Sequence, residues 1–171
     1  ERVRKLCVGK GAEPMGGARV RFDRALIEGA VATVPSSFAM HTRNPARSVA
    51  VGDGNVVFAT VSGPPNCSDL DKGRRPGTLE DAGNFVKLAQ FFNCVHTAGG
   101  ASVDALDVHA SIRHLHITRN KMIYSDKVPF IYATGRARLF DGLELIRIAR
   151  GIGEDQLLRE PSAYTVINTN S

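Results

Sequence analysis

Cysteine is scarce in this sequence, and long hydrophobic runs are absent from it. The three cysteines, Cys7, Cys67 and Cys94, are odd in number, far apart and never in a C-x-x-C pair. This pattern argues against a disulfide framework or a zinc site and favours buried thiols in a reducing compartment. No apolar run approaches the roughly 18 to 20 residues that span a bilayer, and no hydrophobic signal segment follows the charged first residues. We therefore expect a cytoplasmic protein with no membrane partner.

Tryptophan is also absent, yet the remaining composition is that of an ordinary globular protein. Of the 171 residues, 43% are hydrophobic and 23% are charged, with 17 glycines and 8 prolines, which excludes a disordered or collagen-like chain. The net charge is +5, and the first 24 residues carry seven basic against three acidic side chains. Because aromatic residues are not interleaved with these basic positions, we interpret them as a solvated face and expect no nucleic-acid partner.

Several catalytic motifs are missing as well. The chain has no G-x-S-x-G and no G-x-x-x-x-G-K-[ST] segment, and Gly52-Asp53-Gly54 lacks the following helix that a dinucleotide-binding loop needs. These absences exclude the classical hydrolase, kinase and dehydrogenase classes. His109 and His116 share a helix face but lie about 10 Å apart by helical rise alone, and His114 points elsewhere, so we assign no metal site.

The first 55 residues alternate short helical and extended segments. Asp23 is placed to cap a helix that runs to about Thr33. Two extended segments and a glycine-rich turn follow at 37–42, 48–51 and 52–55. The sequence therefore predicts a small helix plus antiparallel hairpin region over residues 1–55, leading into a second region over residues 56–171.

The second region repeats a strand, loop and helix rhythm. The strands are predicted at 56–61, 94–97, 128–133 and 163–167, with helices at 78–92, from Asp104 or Asp107 to about Met122, and around 139–149. Equal spacing favours parallel strands joined by right-handed crossovers, side by side in chain order. We therefore predict an α/β fold that forms about four βα units of a partial TIM (βα)₈ barrel, with Phe58, Ile131 and Val166 buried.

Six segments together resemble the trimethylamine methyltransferase family, the corrinoid-dependent methyltransferases of the MttB type. They are M-H-T-R-N-P-A-R at 40–47, V-V-F-A-T-V-S-G-P-P at 56–65, D-K-G-R-R-P-G-T-L-E-D at 71–81, R-H-L at 113–115, S-D-K at 125–127 and N-T-N-S at 168–171. The resemblance implies a TIM-barrel enzyme that moves a methyl group from a methylamine, or a quaternary amine such as glycine betaine, to a separate corrinoid protein. It also implies that this chain is an N-terminal portion without the second half of the barrel, inactive alone. The pyrrolysine position of the trimethylamine-specific members lies in that second half.

Chemistry in parallel α/β folds sits on the loops after the strands. We place the amine substrate at Asn66, His96, Asp104, Tyr132, Asn168 and Asn170. We place the corrinoid, implied by the resemblance, at Gly63, Arg74, Arg75 and Arg136. Plainer interpretations stay open: a rigid turn at Gly63-Pro64-Pro65, a solvated turn at 71–75, a satisfied core imidazole at His96, and loop-capping asparagines at 168 and 170.

Two other functions remain open. One is a different (βα)-barrel enzyme that acts on a small anionic metabolite, with an anion bound at Arg136. The other is a non-catalytic interaction module that docks through the free edge of the fourth strand. The unpaired edges of half a barrel also lead us to expect a homo-oligomer.

Overall fold

The computed structural model describes residues 1–166, which form two compact units with their division between Ser37 and Phe38. The first unit contains α1 (Arg2–Gly9), β1 (Glu13–Pro14), β2 (Val20–Arg21) and α2 (Arg24–Ala32). Asp23 caps α2 as predicted, because its carboxylate accepts a hydrogen bond from the backbone N–H of Ala25 at 3.1 Å. Helix α1 and the antiparallel β1–β2 pair were not predicted.

The second unit starts at the junction with β3 (Ser37–Met40) and carries most of the regular structure. A 3₁₀ turn at Pro45–Arg47 leads to β4 (Val49–Gly52), which pairs with β3 in a two-stranded sheet. The later elements are β5 (Asn66–Asp69), β6 (Gly73–Pro76), α3 (Leu79–Phe91), β7 (Thr97–Ala98), α4 (Arg113–Tyr124), β8 (Val128–Pro129), α5 (Arg136–Arg150) and α6 (Glu154–Arg159). All of β4 and all but the first residue of β3 lie in the second unit.

The four predicted strand segments lie side by side, parallel and in chain order. Ala59 bridges to Thr97, β7 pairs with β8 in register Thr97 to Val128, and Phe130 bridges to Tyr164. This confirms the predicted order and direction. The regular ladders are much shorter than predicted, and none of the sheets among residues 1–166 closes into a barrel.

The first two segments approach each other very closely. A Cβ atom added to Gly99 would lie 2.1 Å from the carbonyl oxygen of Thr60, and one added to Gly100 would lie 1.9 Å from Cβ of Ser62. Glycine is therefore required at both positions for the two backbones to run together. The N–H of Gly63 continues this contact by donating to the carbonyl of Ala101 at 3.0 Å.

The burial of a strand residue depends on whether its segment is an inner or an outer one of the four parallel segments. Ile131, on the third segment, is 3% exposed because α5 covers it through Gly142. The predicted burial of Phe58 and Val166 is wrong: they are 59% and 70% exposed. Both lie on the outer segments, which have a neighbour on one side only. Cys94, predicted to be buried, is also exposed.

Helices α3 and α5 begin and end close to where the sequence places them. Thr78 and Asp81 form the predicted capping box at the start of α3. Gly151 ends α5 in the left-handed conformation at φ 65°. Helix α4 starts at Arg113, later than predicted, and Asp107 instead accepts from the N–H of Leu79, the first residue of α3, at 2.8 Å.

A polar cluster, which we call the amino-end cluster, anchors the start of β8. Asp126 accepts hydrogen bonds from the side-chain amides of Asn44 at 2.6 Å and Gln90 at 2.8 Å. Arg43 donates to the carbonyl of Ser125 at 3.1 Å.

Lys127 extends the amino-end cluster to the end of α3. It is 3% exposed and donates to the carbonyls of Ala89 at 2.5 Å and Phe92 at 2.8 Å. The segments 40–47 and 125–127 thus meet at the beginning of β8.

No helix within residues 1–166 is long and apolar enough to cross a membrane.

Candidate substrate cavity

A cavity of about 200 Å³ lies at the carboxyl ends of the parallel strands. Its lining residues come from the loop after β7, the first turns of α4 and α5, and the segment after β8: Asp104, Ala110, Arg113, His114, Tyr132 and Arg138. The structure therefore brings together two of the predicted substrate residues, Asp104 and Tyr132. It adds three that were not predicted for this role, namely Arg113, His114 and Arg138.

The backbone of Asp104 is fixed by two neighbouring loops. Its N–H donates to the carbonyl of Pro64 at 2.9 Å. A Cβ atom on Gly77 would lie 2.6 Å from the carbonyl oxygen of Asp104 and 2.2 Å from Cγ2 of Val103. These close contacts fix the backbone of the loop at Asp104, on the wall of the cavity.

Tyr132 contributes a half-buried aromatic ring and a protonated hydroxyl. The ring packs against the core cluster of Ala101, Ala105 and Ile117. Burial and, to a lesser extent, the nearby negative charge of Asp104 raise the pKa of Tyr132 to about 12, against the opposing effect of Arg113. The hydroxyl therefore remains a hydrogen-bond donor at neutral pH.

Two arginines give the cavity a positive balance. Arg113 uses its Nε and one terminal nitrogen on the carbonyl of Val108, at 3.2 and 3.0 Å, which fixes the plane of its guanidinium. Arg138 donates to the hydroxyl of Thr134 at 3.2 Å. Neither arginine makes a salt bridge within the described part of the chain. With Asp104 as the one carboxylate on the wall, this arrangement suits a ligand that carries a carboxylate or another anionic group.

His114 completes the wall and is 8% exposed. Its Nε2 lies 2.8 Å from Oδ2 of Asp141 on α5. Arg113 and His114 both belong to the R-H-L segment at 113–115, so the family-like motif was the signal that could have located them. Arg138 had no signal in the sequence, because nothing marks one arginine of the first turn of α5 as different from another.

The other predicted substrate residues do not line this cavity. Asn66 opens β5, opposite Pro76. His96 precedes β7, accepts a hydrogen bond from the N–H of Phe58 at 2.9 Å through Nδ1, and stacks on the Phe58 ring at 5.8 Å. This satisfied imidazole at the beginning of the strand matches the plainer interpretation. Asn168 and Asn170 lie outside the described residues.

The residues predicted to bind the corrinoid differ in whether their side chains already have bonding partners. The Arg75 guanidinium is already bound to two carboxylates. It donates twice to Asp81, at 2.5 and 2.8 Å, and once to Asp69 at 3.2 Å. These bonds hold the pKa of the Asp81 carboxyl well below its usual range. Arg74, on the β5–β6 hairpin that the sequence did not predict, is exposed. Arg136 is also exposed, with its guanidinium 5.1 Å from the centre of the Phe140 ring.

Gly63 occupies a turn that only glycine adopts without strain. Its φ is +110°, and a Cβ atom placed there would meet nothing within 4 Å. Together with the hydrogen bond from its N–H to Ala101, this geometry matches the plainer interpretation of a rigid turn, and it leaves the outer side of the turn open.

Comparison with known proteins places these features in a family. The family model described as trimethylamine methyltransferase (MTTB) matches residues 3–171. The chain is 34% identical over 153 residues to a protein named glycine betaine methyltransferase from Desulfitobacterium hafniense (strain Y51). The alignment covers 90% of this chain and 32% of that relative, so the chain spans about a third of the relative's length.

Proposed function

Because the chain belongs to the trimethylamine methyltransferase family, we propose that the protein takes part in removing a methyl group from a quaternary amine that also carries a carboxylate. The acceptor is a corrinoid held by a separate protein. The observation that supports this substrate class is the grouping of Asp104 and Tyr132 with two arginines that form no salt bridge within residues 1–166.

Each wall of the cavity has a part in binding such a zwitterion. A tyrosine ring and a carboxylate attract a quaternary ammonium group, which has no hydrogen to donate. Arg113 and Arg138 attract the carboxylate at the other end of the molecule, with charge-assisted hydrogen bonds. A simple methylammonium ion would leave both arginines without an anionic partner and would meet a positive balance of charge. The cavity therefore favours a ligand of the glycine betaine type over trimethylamine.

The chain's own residues bind and orient the amine. The arginines hold the carboxylate inside the cavity, so that the ammonium end lies against Asp104 and Tyr132. Orientation of this kind lowers the barrier to transfer because the methyl carbon is presented to its acceptor in a fixed direction. A corrinoid supplies the nucleophile that accepts the methyl group. Arg74 and Arg136, exposed and basic, fit its phosphate or amide side chains, whereas Arg75 does not because both of its terminal nitrogens are bound to Asp69 and Asp81.

Calorimetric titration of the protein with glycine betaine and with trimethylamine tests the proposal. We expect glycine betaine to bind more tightly, and Arg138→Gln to weaken it by about tenfold, as expected for one charge-assisted hydrogen bond of roughly 1.5 kcal/mol. Arg119→Gln, which changes an exposed arginine of α4 outside the cavity, is the matched control and should leave the affinity unchanged.

Two results would contradict the proposal. Equal losses in Arg138→Gln and Arg119→Gln would remove the cavity from consideration as the amine site. Tighter binding of inorganic phosphate than of glycine betaine would favour a barrel enzyme that acts on a small anionic metabolite. Methylation of reduced cobalamin by the complete gene product, followed by its visible spectrum, tests the transfer itself.

A further inference from the structure

Lys121 on α4 is a fully enclosed lysine next to the wall of the substrate cavity. Its Nζ donates to the carbonyl of Phe130 at 2.8 Å and lies 5.9 Å from the centre of the Tyr132 ring. Tyr132 lines the cavity. A quaternary ammonium that is attracted by this ring lies within about 6 Å of the ring centre, and therefore no more than about 12 Å from Nζ.

A charge on Lys121 acts on a ligand across this distance. Two unit charges about 12 Å apart, at the effective dielectric constant of about 20 that applies inside proteins, change an affinity by about tenfold. Because Nζ is enclosed, salt ions cannot approach it closely, and they screen its charge less than a surface charge. A charged Lys121 therefore opposes the binding of a cation at Tyr132, and a neutral Lys121 does not.

The charge of Lys121 is not cancelled by an ion pair, since Nζ forms no salt bridge within residues 1–166. The titratable side chains that border the buried side of α4 and the β8 segment are Lys87 on α3, His114 on α4, Lys127 and Tyr132 on the β8 segment, Asp141 on α5 and Tyr164 on the fourth parallel segment. Burial alone lowers the pKa of Lys121 from 10.5 to about 7, so the side chain is mostly charged at pH 6 and neutral at pH 9.

Resting on the proposed function, we infer that the buried ammonium of Lys121 is a specificity determinant that discriminates against ligands with a net positive charge. A simple cation such as tetramethylammonium meets the repulsion in full. Glycine betaine meets much less of it, because the same charge attracts its carboxylate. Lys121 thus acts together with Arg113 and Arg138 to favour a zwitterion, without contact with the ligand.

Calorimetric titration with three ligands of one shape and different charge tests the inference at pH 6 and pH 9. They are tetramethylammonium, glycine betaine and 3,3-dimethylbutyrate, in which a carbon replaces the betaine nitrogen and only the carboxylate is charged. From pH 6 to pH 9 the wild-type protein should bind tetramethylammonium about tenfold more tightly, change its affinity for glycine betaine by less than about threefold, and bind 3,3-dimethylbutyrate more weakly.

Two variants separate Lys121 from the other titrating groups. Lys121→Met should bind tetramethylammonium at pH 6 as tightly as the wild type does at pH 9, and its affinity should no longer change with pH. Lys87→Met is the matched control, because Nζ of Lys87 also lies over a tyrosine ring, 4.6 Å from the centre of Tyr124, but is exposed and outside the cavity. It should keep the pH dependence of the wild type.

A second measurement needs no variant. Because a bound cation disfavours the charged lysine, tetramethylammonium should release part of a proton from the wild-type protein at pH 7, and glycine betaine should release less. Titrations in buffers of different ionisation enthalpy measure this release.

An affinity for tetramethylammonium that is the same at pH 6 and pH 9, or a pH dependence that persists in Lys121→Met, would overturn the inference. Binding of glycine betaine would leave the proposed function standing in either case. If glycine betaine binds at neither pH, the proposed function fails, and the inference fails with it.

Discussion

Lys121 is a lysine enclosed by the core, and replacing it with methionine should stabilise the protein. The side chain is 1% exposed, with Nζ donating to the carbonyl of Phe130 at 2.8 Å and lying 5.2 Å from the centre of the Phe130 ring. Burial lowers the pKa of Lys121 from 10.5 to about 7, because the charged form loses its hydration. At about 1.4 kcal/mol for each pH unit of displacement, keeping the ammonium charged in the folded state costs roughly 5 kcal/mol.

The pH dependence follows from the two states of the lysine. Below pH 7 both the folded and the unfolded chain hold the proton, so the full penalty applies. Between about pH 7 and 10.5 the unfolded chain keeps the proton and the folded chain has lost it, so the stability of the wild type rises with pH. Lys121→Met removes the penalty but leaves the Phe130 carbonyl without its donor, which costs about 1 to 3 kcal/mol. We therefore expect a net gain of about 3 kcal/mol at pH 6 that disappears by about pH 9.

Urea denaturation followed by circular dichroism, from pH 6 to pH 10, measures this difference. Lys127→Met is the matched control, because Lys127 is equally buried but donates to two carbonyls at the end of α3. It should destabilise the protein at every pH. A loss of stability in Lys121→Met at pH 6, or a wild-type curve parallel to that of the variant from pH 7 to 10, would show that the buried ammonium is not penalised as argued.

Three further outcomes are expected. Thermal unfolding should show that Gly99→Ala destabilises the protein by about 2 kcal/mol or more, because its new Cβ overlaps a Thr60 backbone atom. The control, Gly153→Ala, has open space around its new Cβ and should be within about 0.5 kcal/mol of wild type. Asp81→Asn should reduce stability at pH 7 and flatten the loss of stability below pH 4, because the lowered pKa of Asp81 favours the folded state only while the group is ionised. The chain alone should self-associate in sedimentation experiments through its first parallel segment, and Phe58→Lys on that segment should reduce the association; a stable monomer would contradict this.

The parallel order of the strands was accessible from sequence because it depends on spacing alone. Helix ends with local signals were accessible too, as the capping box of Thr78 shows. The late start of α4 was not, because Asp107 caps α3 across the fold instead of its own helix, and no local pattern distinguishes the two choices. The β5–β6 hairpin was missed for a similar reason: Arg75 on β6 is held by Asp81 on α3, a contact between two elements that no local pattern shows.

The residues of the candidate site likewise differ in whether the sequence could locate them. Asp104 and Tyr132 follow strands, so the rule that chemistry lies at the carboxyl ends of strands selected both. The same rule placed His96 incorrectly after its strand, because the strand begins one residue beyond it. Arg138 reaches the cavity through the rotation of α5 about its axis, a quantity set by packing against Ile131 and not by any sequence pattern.

The amino-end cluster also determines which parts of the protein can open separately. The last turn of a helix ordinarily frays, since its carbonyls have no partners within the helix. In α3 the carbonyls of Ala89 and Phe92 are held by Lys127, a residue 35 to 38 positions later that directly precedes β8. Fraying of α3 therefore requires release of the start of β8, and with it the parallel contact to β7. Backbone amides at the end of α3 and at the start of β8 belong to one cooperative opening unit, and hydrogen exchange should give them a common free energy of opening.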